Sequence, residues 1–393
     1  MELPGDALVN YVFPNNVKVW WSILIAIYPF ITGLMAGAFV VSSFYHVFRI
    51  REFKPIANFA LITAFCFGLF AATPLLVHLG QPQRAYEIYV TPHLTSAMSI
   101  FGYVYSGYML LLMLEIWLIY RSYFIRKANE SRGFEYLIWY LLTLGITTYH
   151  PDSEKVDHKA SAILSGIGIP WACILHGYVG FVFGSVKAVA WWATALQPFI
   201  FLSSAMVSGM AILFMMYTFI RWRRREPYEY PMARQFMAFL WGIFLIDYAL
   251  EVLEITFIVY ERGYHWSIVG PLLSGPLFKS YVFVQMGILS FLPAMIVGYV
   301  VLSSISGRRM IHLANFGSLL LLLQVLVMRF NVVVGGQLIS KSERGFVDYH
   351  FEFFTKEGIL TAAILLAAPI VTYYVISRFI PIFDEPKGEK DAG

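Results

Sequence analysis

"GIPWACILHGYVGFVFGS", residues 168–185, places His176 inside a run otherwise apolar enough to sit in lipid. The run carries no charged side chain, and its apolar character continues over roughly 159–186. A helix of that length crosses about 30 Å of hydrocarbon. Eight further stretches read the same way: 20–46, 56–79, 95–122, 193–221, 233–261, 276–304, 309–331 and 356–380. The chain of 393 residues is 59% hydrophobic and only 13% charged, where a soluble domain carries about 25% charged residues. The fold class is therefore all-α: a polytopic membrane protein, one integral-membrane domain over 1–393, with lipid as the solvent of its outer face. The net charge of +4 sits in short loops, where it orients the chain in the membrane rather than marking a nucleic-acid surface.

The two cysteines, Cys66 and Cys173, both lie in apolar runs, and no C-x-x-C or C-x-x-C-H occurs. No disulfide framework, iron–sulfur cluster, covalent haem or other metal site is expected in this chain. The first 19 residues lack a basic segment followed by an apolar core, so they do not read as a cleaved signal peptide. The tail, 381–393, reads as solvated.

One stretch is ambiguous. "FEYLIWYLLTLGITTY" (134–149) is short for a span. If it does not cross, one side collects Arg49, Arg51, Lys54, Arg121, Arg126, Lys127, Arg132, Arg221, Arg223, Arg224, Arg225, Arg308 and Arg309. By the positive-inside rule that side is the cytoplasm. Nine spans then place the N-terminus outside and the C-terminus inside, with 134–149 at the inner interface. If it does cross, ten spans result and the basic loops switch sides halfway. Charge favours nine.

An internal repeat points to the same count. "PFITGLMAGAFVVSSFYHVFR" (29–49) resembles "PFIFLSSAMVSGMAILFMMYTFIR" (198–221). Gly33 and Gly37 form a G-x-x-x-G, and Ser204 and Ser208 its small-residue equivalent, spacings that let helices approach closely. A parallel repeat needs an even number of crossings between copies. Two four-helix bundles are expected, 19–186 and 193–331, with an extra helix at 356–380.

Ionisable side chains at membrane depth are costly, about 2.5–3.5 kcal/mol each at the centre on insertion scales. Asp247, Glu251 and Glu254 recur at i, i+4, i+7 on one face of the sixth span. Such a row is expected to face the bundle interior, water or a cation such as Arg329, which sits with Asn331 at the outer end of the eighth span. Proton transfer is one use of it; an acid row neutralised by arginine to fix helix packing is the other. His176 lies in the outer part of span four, flanked by Gly177 and Gly180, which leave room for a flat ligand or for close helix approach. His78 ends span two on the same side. On the inner side Glu115 sits deep in span three, below Tyr103, Tyr105 and Tyr108, and His46 ends span one: a proton half-path, or an aromatic packing stripe with one acid.

"GLMAGA" (33–38), "HLGQPQRA" (78–85), "TSAMSIFG" (95–102), "LHGYVGFVFG" (175–184) and "SSAMVSGMA" (203–211) occur in the order seen in the NrfD/polysulfide reductase membrane-subunit family. The chain resembles that family over nearly its whole length. "MRFNVVVGGQ" (328–337) and the last span resemble its longer branch, most of all DsrP of the DsrMKJOP complex. The resemblance implies a quinone-reactive subunit, without a redox metal of its own, in a prokaryotic inner membrane. It implies a ferredoxin-like iron–sulfur partner on the outer face and an outer-leaflet quinone pocket. A multihaem cytochrome c, a haem b membrane protein and a cytoplasmic iron–sulfur protein would complete the complex. In polysulfide reductase an asparagine and a histidine near the first helix, and a tyrosine elsewhere, hold the headgroup. Here Asn15 and Asn16 are present, Lys18 or Val19 stands where histidine is expected, and Tyr178 matches the tyrosine.

The expected function is electron exchange between menaquinol and a partner cluster, in sulfur-compound respiration. His176 would meet the headgroup, and Asp247, Glu251 and Glu254 would carry the protons away. A proton-translocating transporter without quinone chemistry is the alternative. A haem b cytochrome would need two facing histidines, and His78 with His176 is the one outer pair available.

Overall fold

The computed structural model describes residues 18–343 and 345–383; Asn15 and Asn16 and the tail beyond 383 lie outside them. Among the described residues nine helices are long and apolar enough to cross a membrane. They are α1 (Ile23–His46), α2 (Arg51–His78), α3 (Ala97–Glu130), α4 (Asp152–Gly184), α5 (Gln197–Arg224), α6 (Tyr230–Glu261), α7 (Phe278–Leu302), α8 (Gly307–Gln337) and α9 (Ile359–Ile376). Lipid offers the backbone no hydrogen-bond partner, so each span satisfies its own amides as a helix. Against the expected boundaries, α4 begins earlier, α8 runs six residues further and α9 is shorter at both ends.

Helices α1 to α4 close into a ring through α1–α2, α2–α3, α3–α4 and α4–α1 packing, and α5 to α8 close into a second ring in the same way. The rings meet along α1–α5, α4–α5 and α1–α8, while α9 leans on α2 and α1 from outside. In α1, 89% of the apolar stretch is buried inside the protein; in α9 only 17% is. Helix α1 is thus the hub of the molecule, and α9 leaves most of its surface uncovered by the rest of the chain.

The hub depends on small residues. A Cβ at Gly37 would stand 2.5 Å from the Ala205 carbonyl oxygen and 2.8 Å from Gly209 Cα. A Cβ at Gly33 would stand 3.3 Å from Ala205 Cα and 3.2 Å from the His176 ring. The two repeat copies therefore touch each other, but through Ala205 and Gly209, one residue on from the expected Ser204 and Ser208. Those serines are turned the other way: Ser204 donates to Ile200 O and Ser208 to Ser204 O at 3.0 Å.

The ambiguous stretch forms a ten-residue helix, Gly133–Leu142. It rises about 15 Å, half the hydrocarbon thickness. It lies on α3, with Trp139 against Tyr123 and Phe124 and the Trp117 indole donating to Leu142 O. The first half of α7, Phe278–Leu289, winds as a π-helix and turns Tyr281, Gln285 and Leu289 inward.

Contacts between loops define two faces. On one, Val19 N donates to Asp348 O at 3.0 Å and His78 meets Glu357 at 2.5 Å. On the other, the Tyr123 hydroxyl donates to Phe379 O at 2.8 Å, and Arg221 and Arg224 lie over Phe383. The second face carries all the arginine-rich loops of the nine-span reading and is called the basic face below; the first is the His78 face.

Candidate functional site

The three acids of α6 are buried, as an i, i+4, i+7 row facing the second ring must be. Asp247 Oδ1 accepts from Ser203 at 2.6 Å. Glu251 accepts twice, from Gln285 at 2.8 Å and from Gln324 at 3.1 Å. Gln285 in turn accepts from Asn331 Nδ2 at 2.8 Å. The π-helical turn presents Gln285 to both partners, and Ser290 caps the Gln285 carbonyl at 2.8 Å. Among the described residues Asp247 Oδ2, Glu254 Oε1 and Asn331 Oδ1 have no partner. A row of buried carboxyls with open oxygens can take up and pass protons.

Arg329 is fully buried, but its direct partners are not the acids. Its guanidinium donates to Ser204 Oγ at 2.8 Å, to Phe201 O at 3.0 Å and to His176 Nε2 at 3.1 Å, and it stacks 3.8 Å from the Phe201 ring centroid. No carboxylate pairs with it within ion-pair distance among the described residues. Asp247 and Glu251 act on it through space. An arginine only donates, so His176 Nε2 accepts and the imidazole proton sits on Nδ1, which is buried without a partner. Gly180 explains the close helix approach here: a Cβ there would meet the backbone of Gln197 and Pro198 at the start of α5.

The cavities lie nearer the surface. On the His78 face a cavity of about 590 Å³ is walled by Trp20, Trp21, Trp191 and Trp192, with Lys18, Gln337 and Lys341 among its polar lining. Trp192 is held by its indole N–H on Val332 O at 2.5 Å and by Trp21, stacked at 5.4 Å. A side chain at Gly336 would run into the Trp192 indole, so the glycine of "VVVGGQ" seats this wall. From Trp192, rings follow one another inward: Phe183 at 5.2 Å, Phe201 at 5.5 Å from Phe183, and His176 at 6.3 Å from Phe201. Beneath Trp191 lies Tyr281, edge-on at 5.0 Å, which in turn sits within electrostatic reach of Glu251 and Glu254.

His176, expected to meet a headgroup directly, is thus sealed behind aromatic rings and lines none of the cavities described. Tyr178 is not brought to it; its ring packs on Phe181 at 5.3 Å. His78 lines a neighbouring cavity of about 520 Å³ that shares Lys18, and it contacts Glu357 and Ser22. His78 and His176 are therefore taken up by different partners, not by each other. Reading for ionisable residues alone missed Gln285, Gln324 and Gln197. All three are amides inside or at the edge of apolar spans and are fully buried; an uncharged polar residue at such depth was the available signal.

Toward the basic face, Glu115 is buried and accepts from Ser165 Oγ. Of the three tyrosines above it only Tyr108, seven residues away on the same helix face, is fully buried. Tyr105 donates to Gly68 O at 2.5 Å, and Tyr103 to Ile88 O at 2.9 Å. His46 stands apart, in a third cavity at the helix ends.

Residues 12–341 match the family described as Polysulphide reductase, NrfD. The chain belongs to the NrfD family. Among relatives, it is 28% identical over 388 residues to a selenate reductase subunit of Mesobacillus selenatarsenatis, a match covering 93% of this chain and 87% of that protein. It is 24% identical over 212 residues to the Hdr-like menaquinol oxidoreductase integral membrane subunit of Archaeoglobus fulgidus, covering 53% and 45%. It is 24% identical over 194 residues to a putative dimethyl sulfoxide reductase membrane subunit of Halobacterium salinarum, covering 49% and 42%. As an NrfD-family chain with nine candidate spans, it is a multi-pass membrane protein of the kind that serves as an oxidoreductase membrane subunit.

Proposed function

We propose that this chain is the quinone-reactive subunit of a respiratory complex, exchanging electrons between menaquinol and an iron–sulfur partner docked on the His78 face. The observation that carries the proposal is the tryptophan-walled cavity above the buried acid row. Such a cavity is of the size that small-molecule sites have, about 300–1,000 Å³, and its flat aromatic walls fit a quinone ring. Buried Trp191 Nε1 has no partner among the described residues, and with Lys18 and Gln337 it supplies donors for the two ring oxygens. A bound quinol would supply two electrons and two protons. Glu254, the least buried of the row, takes a proton at its open Oε1; Glu251 and Asp247 extend the line inward. His176 and Arg329 act behind the cavity as positioning residues for the phenyl and indole walls. The names of the relatives, a menaquinol oxidoreductase among them, support the quinone reading.

The remaining particulars are part of the same proposal. The His78 face looks outward from a prokaryotic inner membrane, because the basic loops stay in the cytoplasm. Asn15 and Asn16, outside the described residues, enter the proposal as headgroup partners on the strength of the resemblance alone. Glu115 and His46 serve a separate proton line from the inner side. The DsrP-like branch, with sulfur-compound respiration and its cytochrome and iron–sulfur partners, is the most specific form of the reading.

The test is quinone content of the purified complex, then fluorescence titration with a menaquinol analogue. Trp191→Phe, which keeps an aromatic face and removes the donor, should weaken affinity about tenfold, the worth of one hydrogen bond. Unchanged affinity in Trp191→Phe and Lys18→Gln would exclude this cavity. Proton flux through liposomes holding the chain alone, with no quinone bound, would favour the transporter.

A further inference from the structure

The cavity at the basic face lies apart from the tryptophan-walled cavity and the acid row, and of its lining only His46 figures in the chemistry proposed above, in the inner proton line. It encloses about 680 Å³ between the ends of α1, α2, α3 and α4, where His46, Arg49, Lys54, Asp157, His158 and Ser161 line it. Its acids are already occupied. Asp157 accepts from Arg121 at 3.0 Å and from the Tyr149 hydroxyl at 3.0 Å, and Glu154 lies 3.7 Å from His158. Its cations are not: among the described residues neither Arg49 nor Lys54 has a carboxylate within ion-pair distance. Ser161 is 4% exposed and its hydroxyl has no partner among the described residues, nor has His46 Nε2. Arg49 closes α1 with φ 57°, a left-handed position that favours glycine; here an arginine holds it, with its side chain at the cavity.

We infer that this cavity binds a phosphate group, presented by the headgroup of an anionic phospholipid. A phosphate ester matches the set: a planar guanidinium for two oxygens, an ammonium as point charge, and a buried hydroxyl and a half-buried imidazole for the remainder. The lipid source follows from position. The cavity opens where the spans end, at headgroup depth, on the face that carries the arginine-rich loops, and basic pockets between helices at that level hold anionic headgroups. The site stands independently of the quinone reading.

The full chain, with the subunits that purify with it, is delipidated and reconstituted in nanodiscs of phosphatidylglycerol and phosphatidylcholine. Retained lipid is counted by native mass spectrometry, and thermal midpoints are followed. Phosphatidylglycerol should be retained over phosphatidylcholine about tenfold by wild type, a preference that Arg49→Gln with Lys54→Gln removes. Should the double variant fail to fold, Lys54→Gln alone, on an exposed side chain, should still reduce it severalfold. In detergent, inorganic phosphate raising the midpoint without any lipid preference would keep the phosphate site and overturn the lipid source. No lipid preference and no phosphate response would overturn the proposal.

Discussion

Glu251 is held by two amide donors, Gln285 and Gln324, one on each oxygen. That arrangement asks for an acceptor at both positions, which a carboxylate provides and a carboxamide does not. Glu251→Gln turns one amide against another and should cost about 1–3 kcal/mol, the usual penalty for a buried polar atom left without a partner. Adding Gln285→Glu restores complementarity, because the amide at 251 then donates to the carboxylate at 285, which still accepts from Asn331. Thermal unfolding of the two variants in detergent reads this directly: a double variant no more stable than the single one would contradict the geometry. Proton delivery is separable from stability. Glu254→Gln, which is nearly the same shape and size, should lower quinol-dependent reduction of the partner about a hundredfold, the worth of a positioned proton acceptor, at an unchanged thermal midpoint.

Among helices, the α1–α5 crossing joins the two rings, and it does so backbone to backbone. A Cβ at Gly209 would lie 2.5 Å from Gly37 Cα, and backbone cannot turn aside as a side chain does. Gly209→Val should therefore destabilise by about 1–3 kcal/mol, as overpacked sites do, and lower the midpoint in detergent. Gly242→Ala on α6, where a Cβ meets nothing within 4 Å, is the matched control and should be neutral or slightly stabilising. Equal effects from both would mean that α1 and α5 are not in contact at these glycines. The π-helical half of α7 belongs to the same scale: its wider turn brings Tyr281 and Gln285 onto the acid row.

For the whole molecule, alternating spans put Glu352 on the His78 face and Arg223 on the basic face. Single cysteines introduced as Glu352→Cys and Arg223→Cys should label from opposite sides of the membrane. An impermeant maleimide added to intact cells should react with the first at once and with the second only after permeabilisation. The reverse pattern would invert the proposed orientation. The native Cys66 and Cys173 lie in spans and are replaced first.

The sequence by itself determined the spans and their number, because the cost of unpaired backbone and of charge in lipid leaves so little freedom that length and composition decide them. It also determined the acid row, since i, i+4, i+7 places three side chains on one face whatever the neighbours are. The contact between repeat copies was legible as small-residue spacing, but not which small residues touch; that depends on the rotation of α5 about its axis. Only the tertiary structure decided the partners. It set Arg329 on His176 and Ser204 instead of on the acids, put Gln285 and Gln324 around Glu251, and sealed His176 behind Phe201, Phe183 and Trp192. The hydrogen bonds among these join residues from 34 to 153 positions apart, and no local periodicity carries that information.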